Sequence, residues 1–254
     1  MNTSLLSENR AVATVSLVGP GRVGRVLARA LTAADYAVSG PTGRDEPIAV
    51  ADVVLLCVPD AAIATAAGRA RGHSRFVGHV SGATPIAASG VDFGLHPLGT
   101  FVGDEAPDAL IGVGCAIGAT TPEALEIARE LATSLGGRPF AIADEGRAGY
   151  HAAASMASNF VVTLLGAAED AAAAAGLAED DARALLAPLV RATVENWVAH
   201  GAAAALTGPI ARGDLETVQR QRAALTASAP HLVALFDELC VSTLALARKD
   251  ETPS

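Results

Sequence analysis

The sequence predicts an α/β chain in which a doubly wound, mostly parallel sheet gives way to an all-α C-terminal region. Three observations carry this expectation. Short apolar runs alternate with helical patterns over roughly the first 145 residues. A glycine-rich turn directly follows the first apolar run. Beyond Asp144 the chain is rich in alanine and leucine at helical spacing.

Taken in order, Ala13 to Val18 reads as a strand and Gly21 to Ala34 as a helix. A short strand fits Tyr36 to Ser39, and Asp52 to Val58 (DVVLLCV) is the clearest buried strand. Arg75 to Val80, Val91 to Leu95 and Ile111 to Ile117 read as further strands. Thr121 suits a helix N-cap, Pro122 its first turn, and Gly136-Gly137 its end. Phe140 to Ile142 is the last expected strand. Helices are then expected over Arg147–Ala175, Glu179–His200, Asp214–Ala227 and Pro230–Arg248. In the last of these Leu232, Leu235, Phe236, Leu239, Cys240 and Thr243 follow the spacing of a buried stripe. The expected domains are residues 11–145, binding a dinucleotide, and 146–250, a helical domain for substrate binding and dimerisation.

Composition excludes several classes. A net charge of -9 and only 4% aromatic residues leave no basis for a nucleic-acid partner. Cys57, Cys115 and Cys240 lie far apart in apolar runs, so neither a disulfide framework nor a metal knuckle is expected, and the reading is a reducing, cytoplasmic setting. No close pairing of histidines or acids suggests a metal. Ala148 to Ala168 is uncharged and long enough to span a bilayer, but His151, Ser155 and Asn159 favour a buried helix with one polar face, and no membrane partner is expected. The sole lysine is Lys249; the other 17 of the 18 basic residues are arginine.

The first chemical motif is Gly19-Pro20-Gly21-Arg22-Val23-Gly24, a G-x-G-x-x-G turn between a strand and a helix. Its glycines permit a tight turn and close backbone approach, and free amides at the helix start face a pyrophosphate. This is the dinucleotide fingerprint of a Rossmann-type sheet. An acid for a ribose 2′-hydroxyl is expected about 20 residues on. That window reads Ser39-Gly40-Pro41-Thr42-Gly43-Arg44, with Asp35 too early and Asp45 too late. Ser39, Thr42 and Arg44 suit a 2′-phosphate, so NADP is expected, with NAD the alternative.

Ligands of open parallel sheets sit beyond the carboxyl ends of the strands. Val58, Pro59 and Asp60, then Ser81 and Gly82, are therefore further cofactor candidates, and His96 a catalytic one. His79 reads as structural. His151, Ser155 and Asn159 are spaced four apart and form one polar line on an otherwise apolar helix. Arg212, in a glycine-flanked loop, suits a substrate carboxylate, and Asp214 beside it also suits a helix N-cap.

The segments GPGRVG, LLCVPD, HVSGA, LHPLGTF, YHAAASMASNF and LTGPIARGD occur in that order. Together they resemble a bacterial family of Rossmann-like oxidoreductases with a C-terminal helical domain of uncharacterised function, over roughly residues 13–245. More distantly the arrangement is similar to 6-phosphogluconate dehydrogenase, 3-hydroxyacid dehydrogenases, pyrroline-5-carboxylate reductase and ketopantoate reductase. The resemblance implies a nicotinamide in an interdomain cleft and a homodimer built through the helical domains. Members of the wider group use a lysine general acid one helical turn before an asparagine, where this chain has Ser155 before Asn159. The near family carries a histidine in the helix after RGD, where this chain has Gln219 and Gln221.

With lysine absent from that position, His151 is the expected proton donor, Ser155 and Asn159 orient the substrate, and His96 and Tyr150 stand in reserve. The expected function is NADP-dependent hydride transfer to or from a small carbonyl or imine. A non-catalytic NADP-binding regulator remains the alternative at this point.

Overall fold

The structure, a computed structural model, describes residues 11–248. Its framework is a seven-stranded sheet in the order β2-β1-β3-β4-β5-β6-β7. The strands are β1 (Thr14–Val18), β2 (Ala37–Thr42), β3 (Ala51–Leu56), β4 (Ser74–His79), β5 (Phe93–Pro97), β6 (Gly114–Ala119) and β7 (Arg138–Ala141). All neighbouring pairs are parallel except β5 and β6. The expected doubly wound, mostly parallel sheet is thus the one observed.

Its helices lie on both faces because alternate strand residues are apolar in both directions. Val15, Leu17, Val53 and Leu55 share one core with Leu27 and Leu31 of α1 (Arg22–Ala33) and Ile127 and Leu131 of α4 (Pro122–Ser134). Val18, Val54, Leu56 and Val77 share the other with Ile63, Ala66 and Ala67 of α2 (Ile63–Ala70) and Ile86 of α3 (Ile86–Ser89). The sequence reading contained no α2. Its eight residues, IATAAGRA, are too short and too alanine-rich for a marked periodicity. The cap of α4 is as expected: the Thr121 hydroxyl accepts from the Ala124 amide at 3.2 Å, with Pro122 in the first turn.

The chain divides into two compact units between Ser158 and Asn159. The expected boundary lay at residue 145; the following helix α5 (Arg147–Ala157) goes with the sheet because its first side chain, Arg147, is fully buried there. The second unit holds α6 (Asn159–Ala174), α7 (Glu179–His200), α8 (Leu215–Ser228) and α9 (Val233–Arg248).

Two expectations are corrected here. The single helix from Arg147 to Ala175 is broken at Ser158, where φ is -126° and ψ -79°. Ser158 and Asn159 there are residue types with weak helix-interior preference. In addition, α6 is not buried: Phe160, Val162 and Leu164 remain 60%, 68% and 43% exposed. Segments 144–174 and 230–248 are long and apolar enough to cross a bilayer by length and composition.

Candidate functional site

The glycine turn is built as its sequence requires. Gly19 has φ +108°, and a Cβ there would stand 2.3 Å from the Cys57 carbonyl oxygen. A Cβ on Gly24 would lie 2.1 Å from the Gly19 carbonyl oxygen, so only glycine lets α1 pack so close to the turn. Around Gly21, by contrast, a Cβ would meet nothing within 4 Å. Gly21 caps α1 without a side-chain bond, and no acid occupies the first turn. The leading amides of α1 therefore lack intrahelical acceptors and present a positive pole.

A cavity of about 680 Å³ opens beside this turn, at the carboxyl ends of β1, β2 and β3. This is where the strand order reverses about β1. Of the expected cofactor residues, Gly19, Pro20, Gly21, Thr42, Arg44, Val58 and Pro59 line it. Arg22, Val23 and Gly24 do not; they form the start of α1, with Val23 packed against the core. Asp60 is also off the lining, in a 3-10 turn whose Ala61 and Ala62 face the cavity instead.

Three details depart from expectation. Ser39 lies within β2, paired in register with Ser16, and not on the lining. The Thr42 hydroxyl donates to the Leu17 carbonyl at 3.3 Å. Asp45, expected to fall too late, lines the cavity next to Arg44, because β2 extends to Thr42 and carries the loop further along. The structure also adds Arg69, from the last turn of α2, to the same wall. No sequence signal marked it.

A second cluster forms at the carboxyl ends of β4 and β5, further along the same sheet edge. A Cβ on Gly82 would lie 2.8 Å from His151 Nδ1 and 3.0 Å from His96 Nε2. His96 Nδ1 and the Tyr150 hydroxyl share a hydrogen bond of 2.7 Å. The His96 and His151 rings meet edge-on with centroids 6.1 Å apart. Residues 82, 96 and 151 thus converge, as do the sequence candidates among them. Burial, then the nearby His151 and Arg147 charges, push the His96 pKa down to about 4. Burial pushes the Tyr150 hydroxyl up to about 12. Both groups are therefore neutral at pH 7, while His151 lies exposed at the surface of α5.

Behind the cluster stands the buried Arg147. Its Nε donates to Asp144 Oδ1 at 3.1 Å and its Nη1 to the Ser81 carbonyl at 3.4 Å. Room for the guanidinium comes from Gly94 and Gly118, whose Cβ atoms would stand 2.8 and 3.0 Å from Nη2. Asp144 also accepts from the Ile86 and Ala87 amides, both at 2.9 Å. Partial burial pushes the Asp144 carboxyl up, but those amides and Arg147 outweigh it, and the carboxyl sits below its ordinary range. Arg147 thereby joins the 81–84 loop to the first turn of α5, which carries Tyr150 and His151.

Ser81 bonds within its own loop. Its hydroxyl accepts from the Ala83 and Thr84 amides at 3.2 and 3.0 Å. Its own amide donates to His79 Nδ1 at 3.2 Å, so the neutral His79 ring carries its proton on the buried Nε2. His79 is structural, as expected, with a pKa pushed down to about 4 by burial and by Arg147.

The break at Ser158 cuts the expected polar line at its third member: Ser155 follows His151 on α5, whereas Asn159 begins α6 in the other unit. Asp214 caps α8, accepting from the Thr217 amide at 3.1 Å, which is the ordinary role of an aspartate there. Arg212 is exposed in the loop before it. No group of histidine, cysteine and acidic side chains suited to a metal occurs among the described residues.

Residues 113–243, just over half of the chain, match the domain of unknown function DUF2520. The chain belongs to the DUF2520 family. No curated protein matches it. Among solved structures it is similar to a Bacteroides fragilis protein provisionally described as an NADP oxidoreductase, with 21% identity over 92% of this chain and 98% of that one, TM-score 0.77. A Thermotoga maritima protein has 23% identity over 94% and 100% of the two chains, TM-score 0.76. A pyrroline carboxylate reductase of Plasmodium falciparum, solved with NADP bound, has 12% identity over 93% and 98%, TM-score 0.56. At these identities the likeness establishes the Rossmann-type fold.

Proposed function

We propose that this DUF2520 protein is an NADP-dependent oxidoreductase acting on a small carbonyl or imine. The observation that carries the reading is the glycine turn, with its uncapped helix start, opening onto a cavity walled by arginine at the switch point of the sheet. The open side of Gly21 admits a pyrophosphate where side chains at Gly19 and Gly24 would not fit. Arg44 suits a 2′-phosphate through charge-assisted bonds, while Asp45 is the group that would favour the 2′-hydroxyl of NAD. The bound coenzyme would supply a hydride donor or acceptor.

The histidine cluster lies along the same strand ends and answers the accompanying need for a proton. His151 is exposed on α5 beside Gly82, and an imidazole is a side chain suited to general acid chemistry, so it serves as the donor. His96 is held neutral and bonded to Tyr150, and its Nε2 points to the same place by Gly82. It orients the substrate oxygen or nitrogen, and Ser155 lies one turn beyond. In the same reading, a second copy of the chain covers the exposed apolar residues of the helical unit, among them Val162, Leu189, Trp197 and Val198.

Calorimetry with NADP and NAD, followed by a screen of ketoacids and cyclic imines for NADPH oxidation, tests the reading. Binding of NADP and turnover of one of these compounds are expected, with His151→Ala lowering turnover about 10²–10⁴-fold at unchanged NADP affinity. Binding without turnover across the screen would favour a regulatory protein, and binding of neither coenzyme would sink both readings.

A further inference from the structure

Arg69 occupies an unusual place for a surface arginine. It projects from the last turn of α2, which follows β3, yet its hydrogen bonds go to the loop that follows β2. Nη1 donates to the Arg44 carbonyl in a close contact, and Nη2 donates to the Glu46 carbonyl at 3.0 Å. The loop carries one further tie, from the Gly43 amide to Glu46 Oε2 at 2.7 Å. Arg44 and Arg69 both line the cavity, and Asp45 lies between the two bonded carbonyls.

Two physical consequences follow. A planar guanidinium fork that holds carbonyls on either side of Asp45 orders the loop before any ligand arrives, so that ordering is not charged against binding. In addition, two guanidinium groups and one carboxylate line the cavity itself, while the Glu46 carboxylate is engaged by the Gly43 amide off that lining. A 2′-phosphate gains from that excess, whereas a 2′-hydroxyl does not.

We infer that Arg69 is a second specificity-determining residue for a 2′-phosphorylated dinucleotide. It positions the Arg44 loop through two carbonyls and adds its own charge to the wall, so preference for NADP belongs to the pair. This inference rests on the dinucleotide reading proposed above.

The test is calorimetric titration of the full chain with NADP, NAD and 2′,5′-ADP, for the wild type, Arg69→Ala, Arg69→Lys, Arg44→Ala and the double variant. Arg69→Ala is expected to weaken NADP and 2′,5′-ADP about tenfold or more and NAD about twofold or less. Arg69→Lys keeps the charge without the fork and should fall between wild type and Arg69→Ala. The double variant should lose less than the product of the single losses, because Arg44 depends on Arg69 for its position. Circular dichroism and melting curves confirm that each variant is folded; Arg69 is exposed on α2, so its replacement leaves the core intact. An unchanged NADP-to-NAD ratio in Arg69→Ala, with the wild type binding NADP, would overturn this inference alone. A wild type that takes up neither coenzyme would overturn the dinucleotide reading and this inference with it.

Discussion

The two units of the chain bury themselves to very different degrees. In the sheet unit, strand and helix residues such as Leu17, Leu31, Val54, Leu95, Ile117 and Leu131 are essentially inaccessible. In the helical unit, only Ala182, Ala229 and Leu232 are buried among the described residues, while Leu185, Leu189, Trp197 and Val198 are more than half exposed. A twisted sheet covered on both faces closes its own core. Helices with apolar stripes need a partner surface for theirs. Exposed ion pairs occur in both units, among them Arg75–Glu123 and Arg129–Glu126 in the sheet unit, and the buried guanidinium is the exception. Arg147 and Asp144 lie within the sheet unit with the guanidinium fully buried, whereas Arg222–Asp237 and Arg220–Glu216 in the helical unit are solvent-exposed.

The contrast can be broken most strongly at Asp144. Asp144→Ala leaves Arg147 buried without its carboxylate and frees the Ile86 and Ala87 amides, and should cost about 3 kcal/mol in denaturant unfolding. A loss no larger than that of a surface pair would show that Arg147 finds other compensation. Acid should weaken the sheet unit by a comparable amount. The His79 pKa is about 4 in the folded chain and near 6.5 unfolded, so the unfolded state takes up the proton first as the pH drops. Stability is therefore full above about pH 6.5 and declines as the pH falls towards 4, by up to about 3 kcal/mol for this residue. His79→Gln should flatten that part of a stability-against-pH curve.

A smaller core effect is expected at Gly94→Ala, whose Cβ would meet Arg147 Nη2 and His79. Displacing those side chains should cost about 1–3 kcal/mol, measured by thermal unfolding. Trp197→Glu alters only an exposed residue, so it should leave the sheet unit's stability unchanged while lowering the particle mass in light scattering. An unchanged mass would remove the dimer from the proposed function. The smallest effect belongs to Asp237→Ala: its bridge to Arg222 is solvent-exposed, so the denaturant midpoint should be unchanged within error.

Much of the fold was legible because its signals are local. DVVLLCV could hardly be other than a buried strand, and Thr121-Pro122 with Gly136 bracketed α4 correctly. The glycine turn was legible for the same reason, since a six-residue motif marks it and Gly19 and Gly24 both stand where a Cβ would strike backbone. The short helix α2 was missed, having too few residues to show a period, and Arg69 was missed with it. The break at Ser158 hid within an apolar run whose hydropathy continues across it, which is why one helix was expected where the chain has two, with Asn159 on the second.

The sequence by itself determined the order of the strands, the position of the glycine-rich turn and the presence of a single lysine, Lys249. Periodicity, glycine placement and composition are properties of short stretches of chain. Only the tertiary structure decided that His96, Tyr150 and His151 meet beside Gly82, that Arg147 lies buried behind them, and that Arg69 grips the loop of Arg44. Those contacts join residues tens of positions apart, and they exist because parallel strands bring successive loops to one edge of the sheet.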